Sequence, residues 1–223
     1  MPLAQFIDHT VLKQTTGLQD VYKVCAEAKE YGFAAICIPP VYVKLAAREL
    51  ENTAVRVATV IGFPFGYHLL NTKIEEARQA VSDGADELDM VMNLTALKNR
   101  DWGYLENEVC ALLEITKKHE VVLKVIIESG ILTDEEIIQC CELYRNFEID
   151  FLKTSTGYAE SGASIEAVRL IRQHLPGHIQ IKASGGIKTF EFAKRLLAAG
   201  ASRLGCSASV AIVKEEVKEL GIN

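Results

Sequence analysis

Five ionisable residues stand inside short apolar runs of the sequence: Asp8 in FIDHTVL, Asp89 in ELDMVMN, Lys124 in VLKVIIE, Lys153 in FLKTST and Lys182 in QIKAS. Isolated charges are costly to bury, so such groups pair with one another or change protonation state. Strand alternation puts Lys153 on one face with Phe151 and Ser155, Lys182 with Gln180 and Ser184, and Asp89 with Glu87 and Val91. If those faces point inward, one interior holds two carboxylates and three ammonium groups. A salt-bridge network that only fills space is the plain reading. The excess of lysines supports a second one. Packed cations and desolvation both lower an ammonium pKa. A lysine that is partly neutral at pH 7 is a nucleophile, able to form a Schiff base with a carbonyl. Lys153 is read as that amine, with a neighbouring lysine keeping it deprotonated.

Three glycine-bearing turns follow the last three apolar runs of the sequence, FLKTST, QIKAS and RLGCS (203–207): TSTGY (154–158), ASGGIKT (183–189) and LGCSAS (204–209). Glycine lets backbone N–H groups close on an anion, and a helix N-terminus adds its dipole. Lys188 and Ser207 could add side-chain contacts. Turn chemistry alone also accounts for the glycines. Their position after the last strands points instead to a phosphate site.

Positioning such groups takes strands. Runs at 6–12, 34–39, 56–64, 87–93, 122–128, 151–156, 180–184 and 203–207 are short and mostly apolar, as parallel strands covered on both faces should be. Amphipathic segments separate them. LQDVYKVCAEAKEYG puts Leu18, Val21, Tyr22 and Cys25 on one face and stops at Gly32. Capping-box spacing marks helix starts at Thr72 with Glu75 and at Thr133 with Glu136. FEFAKRLLAAG closes on Gly200. Eight strands alternating with helices over 223 residues predict an α/β fold, a single (β/α)8 TIM barrel in one domain spanning residues 1–223. A doubly wound open sheet is the alternative, but no GxGxxG turn follows the first strand.

Composition narrows the partners. Hydrophobic residues make up 49% and charged residues 24%, ordinary for a globular enzyme, and a net charge of −6 argues against nucleic acid or a membrane surface. Six scattered cysteines without a CxxC pair read as reduced, buried thiols. MPLAQFIDHTVLK has no apolar signal core, and no apolar run approaches the ~20 residues of a membrane span, so a cytoplasmic protein is expected. His9, His68, His119, His174 and His178 form no ligand cluster at usual spacing, and several read as helix-end or loop residues; no metal and no cofactor is expected. Trp102 and Tyr104 could mark an interface, though core packing explains them equally.

With these lysines and this phosphate end, the sequence resembles the deoxyribose-phosphate aldolase family from about Phe6 to Val213. The motifs that carry the likeness are IDHTVL, AAICIPP, GFPFG, GADELDMVMN, LKVIIESG, FLKTSTG, IKASGGIKT and RLGCS. The resemblance implies a metal-free class I aldolase that cleaves 2-deoxy-D-ribose 5-phosphate reversibly into D-glyceraldehyde 3-phosphate and acetaldehyde. It implies Lys153 as the Schiff-base lysine, Lys182 as the lysine that tunes it, and Asp89 in proton transfer through a water. It further implies Asp8, Thr10, Cys37, Lys124 and Thr154 at or near the substrate, and Gly157, Gly185, Gly186, Gly205 and Ser207 in the phosphate loops. The family commonly forms dimers or tetramers, so a homo-oligomer is expected, with small sugar phosphates and aldehydes as ligands. This chain departs from some members at Tyr158, where they carry a basic residue, and at Ala208, where they carry a serine. It ends in KELGIN, without the tyrosine-bearing tail of other members.

Three rival readings remain open to the sequence. A barrel isomerase or epimerase could use Asp8 and Asp89 as a proton-transfer pair. A metal-dependent aldolase would need the ligand cluster that the histidines do not make. A non-catalytic sugar-phosphate sensor would keep the glycine turns without needing Lys153, Lys182 and Asp89 together.

Overall fold

Eight parallel strands close on themselves in chain order: β1 (Ile7–Thr10), β2 (Ala35–Ile38), β3 (Arg56–Ile61), β4 (Glu87–Val91), β5 (Val122–Ile126), β6 (Phe151–Lys153), β7 (Gln180–Ser184) and β8 (Arg203–Cys206). β8 pairs back onto β1, which completes the expected (β/α)8 barrel. The computed structural model describes residues 2–221, so the last two residues of the KELGIN tail lie outside the described residues. The strands stop short of the apolar runs that announced them. The 56–64 run leaves the sheet after Ile61, where Gly62 takes φ +63°, and the 151–156 run leaves β6 after Lys153. The residues beyond become active-face loops.

Helices α1 (Leu18–Tyr31), α2 (Val43–Glu49), α3 (Leu70–Ser82), α4 (Leu94–Lys98), α5 (Trp102–Lys118), α6 (Asp134–Tyr144), α7 (Ile165–His174), α8 (Phe190–Ala198) and α9 (Ser209–Leu220) form the outer layer. The main core lies between the layers, where Ile36, Ile38, Leu88, Met90, Leu123, Val125, Leu152 and Ile181 point outward from the strands. Alternation then sends the intervening strand residues into the barrel, and that is what aims the charged side chains inward.

Two local expectations are corrected. In α1 the buried stripe is Val21, Val24, Cys25 and Ala28, while Leu18 and Tyr22 are exposed. The stripe is rotated by one position because Ala28 in the last turn is part of the buried face. Its stop at Gly32 holds: that residue is left-handed and its N–H donates to Ala28 O at 3.0 Å. Thr72 and Glu75 do not cap α3. The helix begins at Leu70 after Leu69, and Glu75 faces Arg78 instead. The earlier start lets α3 deliver Lys73 and Glu76 to the strand ends, Glu76 accepting from Gly62 N–H at 2.7 Å. Thr133 and Glu136 do make the capping box of α6. Trp102 and Tyr104 are half-buried and pack on the core. Five of the six free thiols are buried, and Cys110 is exposed.

One buried ion pair lies outside the barrel. Lys73 on α3 and Glu108 on α5, both with fully buried side chains, approach to 2.6 Å. Lys73 also donates to Val91 O at 2.6 Å, and Glu108 accepts from Asn93 N–H at 3.0 Å. Together they fasten the C-terminal end of β4. Burial pushes the Lys73 pKa down and the Glu108 pKa up, each against the pull of its partner. Glu108→Ala should therefore leave a buried ammonium without its counter-charge and cost about 3–5 kcal/mol in chemical unfolding. The double change Lys73→Met with Glu108→Leu should cost much less than Glu108→Ala alone.

Candidate active site

Small residues line part of the barrel interior: Ala35 and Cys37 from β2, Ala58 and Val60 from β3. Branched apolar side chains ordinarily fill this space in such barrels. Here long charged side chains take it. Asp89 sits among three lysines. Its Oδ1 accepts from Lys124 Nζ at 2.7 Å, and its Oδ2 accepts from Lys153 Nζ and Lys182 Nζ, each at 2.7 Å. Asp8 accepts from Lys182 and, at 2.7 Å, from Arg203 Nη1, and lies 3.7 Å from Lys124. Glu87 stands 2.5 Å from Lys124 and 3.5 Å from Arg203. All five residues read as inward-facing charges thus meet in one network, with Glu87 and Arg203 added.

The charges of that network do not balance. Inside the barrel three carboxylates (Asp8, Glu87, Asp89) face four basic groups (Lys124, Lys153, Lys182, Arg203), and the exposed Arg56 adds a fifth cation 3.9 Å from Glu87 at the edge. Lys182 bonds two carboxylates and Lys124 approaches three, whereas Lys153 touches Asp89 alone. Burial would depress every one of these lysines. For Lys182 the two aspartates overcome it and raise the pKa well above the lysine range. For Lys124, Asp89 and Glu87 likewise outweigh burial and raise the pKa. For Lys153 burial prevails: the Asp89 charge pulls its pKa up, the Lys182 charge pushes it down, and the result is lowered. Lys153 and Lys182 are register partners on adjacent strands, so the tuning charge is built into the sheet. Asp89 would be raised by burial, but the three lysines hold its carboxyl well below the usual carboxylate range.

A cavity of about 720 Å³ opens at the C-terminal ends of the strands. Of the network, Lys153 alone lines it. Thr10, Gly157, Gly185, Gly186, Lys188, Gly205 and Ser207 line it too. Gly157, Gly185 and Gly186 take φ of +90°, +89° and +77°, conformations that L side chains rarely adopt. A Cβ on Gly205 would collide with Ser184 Oγ and come within 3.0 Å of Lys182 Cε, so this glycine also makes room for Lys182.

Asp8, Cys37, Lys124 and Thr154 are fully buried and lie behind the cavity wall, not on it. Asp8 and Lys124 are held in the network beneath. The Cys37 thiol is pushed up to about 11 by burial, with Asp89 adding to the effect, and so stays protonated. The Thr154 hydroxyl accepts from Ser184 N–H at 3.0 Å and donates to Ser184 O at 3.3 Å, tying β6 to β7. His9 lies on β1, within the 6–12 run read as a strand, and is buried between Glu27 (2.8 Å) and Ser209 Oγ (3.0 Å). Among the described residues, no three His, Cys, Asp or Glu side chains cluster in a way that could hold a metal ion.

Comparison with known proteins places this geometry. A model of the DeoC/LacD family aldolases matches residues 3–213. The chain belongs to that family. It is 48% identical over 218 residues to deoxyribose-phosphate aldolase of Bacillus cereus, covering 98% of this chain and 97% of that one. It is 45% identical over 220 residues to deoxyribose-phosphate aldolase of Caldanaerobacter subterraneus, covering 98% and 95%. Among solved structures it superposes on deoxyribose phosphate aldolase from Aeropyrum pernix, described as uniquely tetrameric, with TM-score 0.90 and 32% identity over 98% of this chain and 92% of that one.

For a DeoC/LacD aldolase, three polar residues of the site were not singled out by sequence reasoning. Glu87 was placed on the Asp89 face by strand alternation but not read as a member of the network, while Arg203 opens β8, where a charge reads as a solvent-facing strand end; its two-residue spacing from Gly205 was the usable signal. Ser184 lines the cavity with a buried hydroxyl that has no protein partner. Its face-sharing with Lys182 was legible, its free hydroxyl was not. No helix among the described residues is long and apolar enough to cross a membrane.

Proposed function

We propose that this aldolase cleaves 2-deoxy-D-ribose 5-phosphate reversibly to D-glyceraldehyde 3-phosphate and acetaldehyde through a Schiff base on Lys153. One observation carries the reading: Lys153 is the surplus cation of a buried network and the one member that reaches the cavity. Its free amine attacks C1 of the open-chain sugar, and loss of water leaves a protonated imine. The C3 hydroxyl then gives up its proton and the C2–C3 bond breaks. The electron pair moves into an enamine on Lys153 and glyceraldehyde 3-phosphate departs. Protonation of the enamine at C2 and hydrolysis of the imine release acetaldehyde and restore the amine.

Asp89 keeps its charge under three lysines, which makes it a poor resting base. Its proposed part is to hold and orient a water that moves the protons, with the lysine hydrogen bond released when Lys153 becomes an imine. Lys182 supplies the fixed positive charge. The phosphate rests against the Gly157, Gly185–Gly186 and Gly205–Ser207 turns, with Lys188 at the rim supplying the cation that Tyr158 does not. Free thiols suit a reducing cytoplasm and a place in deoxyribose phosphate catabolism. The tetrameric relative favours a homo-oligomer.

The test is cleavage of deoxyribose 5-phosphate with and without chelator. The proposal expects full activity in both. An activity that chelator abolishes and a divalent metal restores would replace it with the metal-dependent reading.

A further inference from the structure

Just beyond β5 the backbone takes an unusual course. Glu128 has φ +54° and ψ +54°, left-handed for a residue with a Cβ, and its side chain is buried. That turn aims its carboxylate at the loop after β6. Oε1 accepts from Thr156 N–H at 3.2 Å; Oε2 accepts from the same N–H at 3.3 Å and from the Thr156 hydroxyl. The Thr156 oxygen in turn accepts from Tyr158 N–H at 3.0 Å. Ser129 N–H adds a bond to Thr154 O at 2.7 Å. The chain leading into Gly157 is therefore gripped from the end of β5 at Thr154 and Thr156, and Thr156 passes the hold on to Tyr158. Its far end is anchored as well, where the Tyr158 hydroxyl donates to Leu12 O at 2.5 Å and its ring meets Phe63 edge-on at 5.5 Å.

Glu128 does not line the cavity, whereas Thr156, Gly157 and Tyr158 do. The Lys153 charge reaches its carboxylate, but the side-chain hydrogen bonds of Glu128 all go to Thr156 in the turn. We propose that Glu128 is a positioning residue for the anion-binding turn: through Thr156 it fixes the Gly157 backbone in the cavity wall, and so sets affinity for the phosphate of the substrate rather than the chemistry at Lys153. The inference rests on the phosphorylated substrate proposed above, and the two fail differently.

The experiment compares 2-deoxyribose 5-phosphate with unphosphorylated 2-deoxyribose. In Glu128→Gln one acceptor oxygen becomes a donor facing the Thr156 hydroxyl. The expected result is a KM for the phosphorylated sugar raised at least about tenfold, its kcat within about threefold of wild type, and kcat/KM on the unphosphorylated sugar within about threefold, the signature of lost uniform binding. Thr156→Val should reproduce this split, the double variant should be no worse than either single one, and Thr156→Ser should restore the phosphate preference. Equal losses on both sugars, or an unchanged KM for the phosphorylated one, would overturn the inference. Should Glu128→Gln fail to fold, the Thr156→Val and Thr156→Ser pair decides alone. Inorganic phosphate titrated into wild type and variant gives a reading independent of turnover. Weaker binding to the variant supports the positioning role even if the sugar proves to be a different phosphate, and equal binding refutes it.

Discussion

Lys153→Ala should lose aldol cleavage by roughly 10⁴–10⁶-fold, the scale seen when a covalent nucleophile is deleted. The loss should not come from unfolding. Asp89 keeps Lys124 on one oxygen and Lys182 on the other, so removing Lys153 strands no buried carboxylate. Three carboxylates would then face three cations, a balance that the wild-type network reaches only when Lys153 is neutral. Thermal unfolding of the variant should accordingly stay close to wild type. A variant that is folded and still turns over at more than about a hundredth of the wild-type rate would not fit a covalent role.

Lys182→Leu should be the next most damaging change, through a different mechanism. Without Lys182 the carboxylates Asp8, Glu87 and Asp89 face Lys124 and Arg203 as fixed cations inside the barrel, with the exposed Arg56 reaching Glu87 alone. Lys153 then becomes the charge that balances the interior. A cation that repelled its proton is gone and Asp89 pulls harder, so the Lys153 pKa rises. The sign follows: less free amine at pH 7, an acid limb of kcat/KM displaced to higher pH, and partial recovery in alkaline buffer. Each tenfold loss of free amine is about 1.4 kcal/mol, and a drop on the order of 10²-fold at pH 7 is expected. A Lys182→Leu variant with a normal pH profile would remove the tuning role while leaving Lys153 as nucleophile.

Much of this was legible before any coordinates. A charge inside an apolar strand has few stable fates, which is why Asp8, Asp89, Lys124, Lys153 and Lys182 could be brought together from strand alternation alone. The barrel followed from the same runs. What stayed hidden depends on neighbours distant in the chain. Glu128 reads as the polar end of a strand until Thr156, 28 residues on, is seen to bind it. Cys37, Lys124 and Thr154 carry side chains suited to a substrate, and only packing shows that they stop behind the wall. The missed start of α3 has a related cause. Thr72 and Glu75 satisfy a local capping rule, but Lys73 and Glu76 must meet β4 and β3, and tertiary contacts decide where the helix begins.

The central claim is that a buried, uncharged lysine captures an aldehyde covalently. Reduction with borohydride in the presence of acetaldehyde, followed by peptide mass spectrometry, tests it most directly. The account predicts one ethyl group, fixed to Lys153, with none on Lys124 or Lys182. An enzyme that cleaves its substrate yet carries no adduct after reduction, or carries it on another lysine, would contradict it.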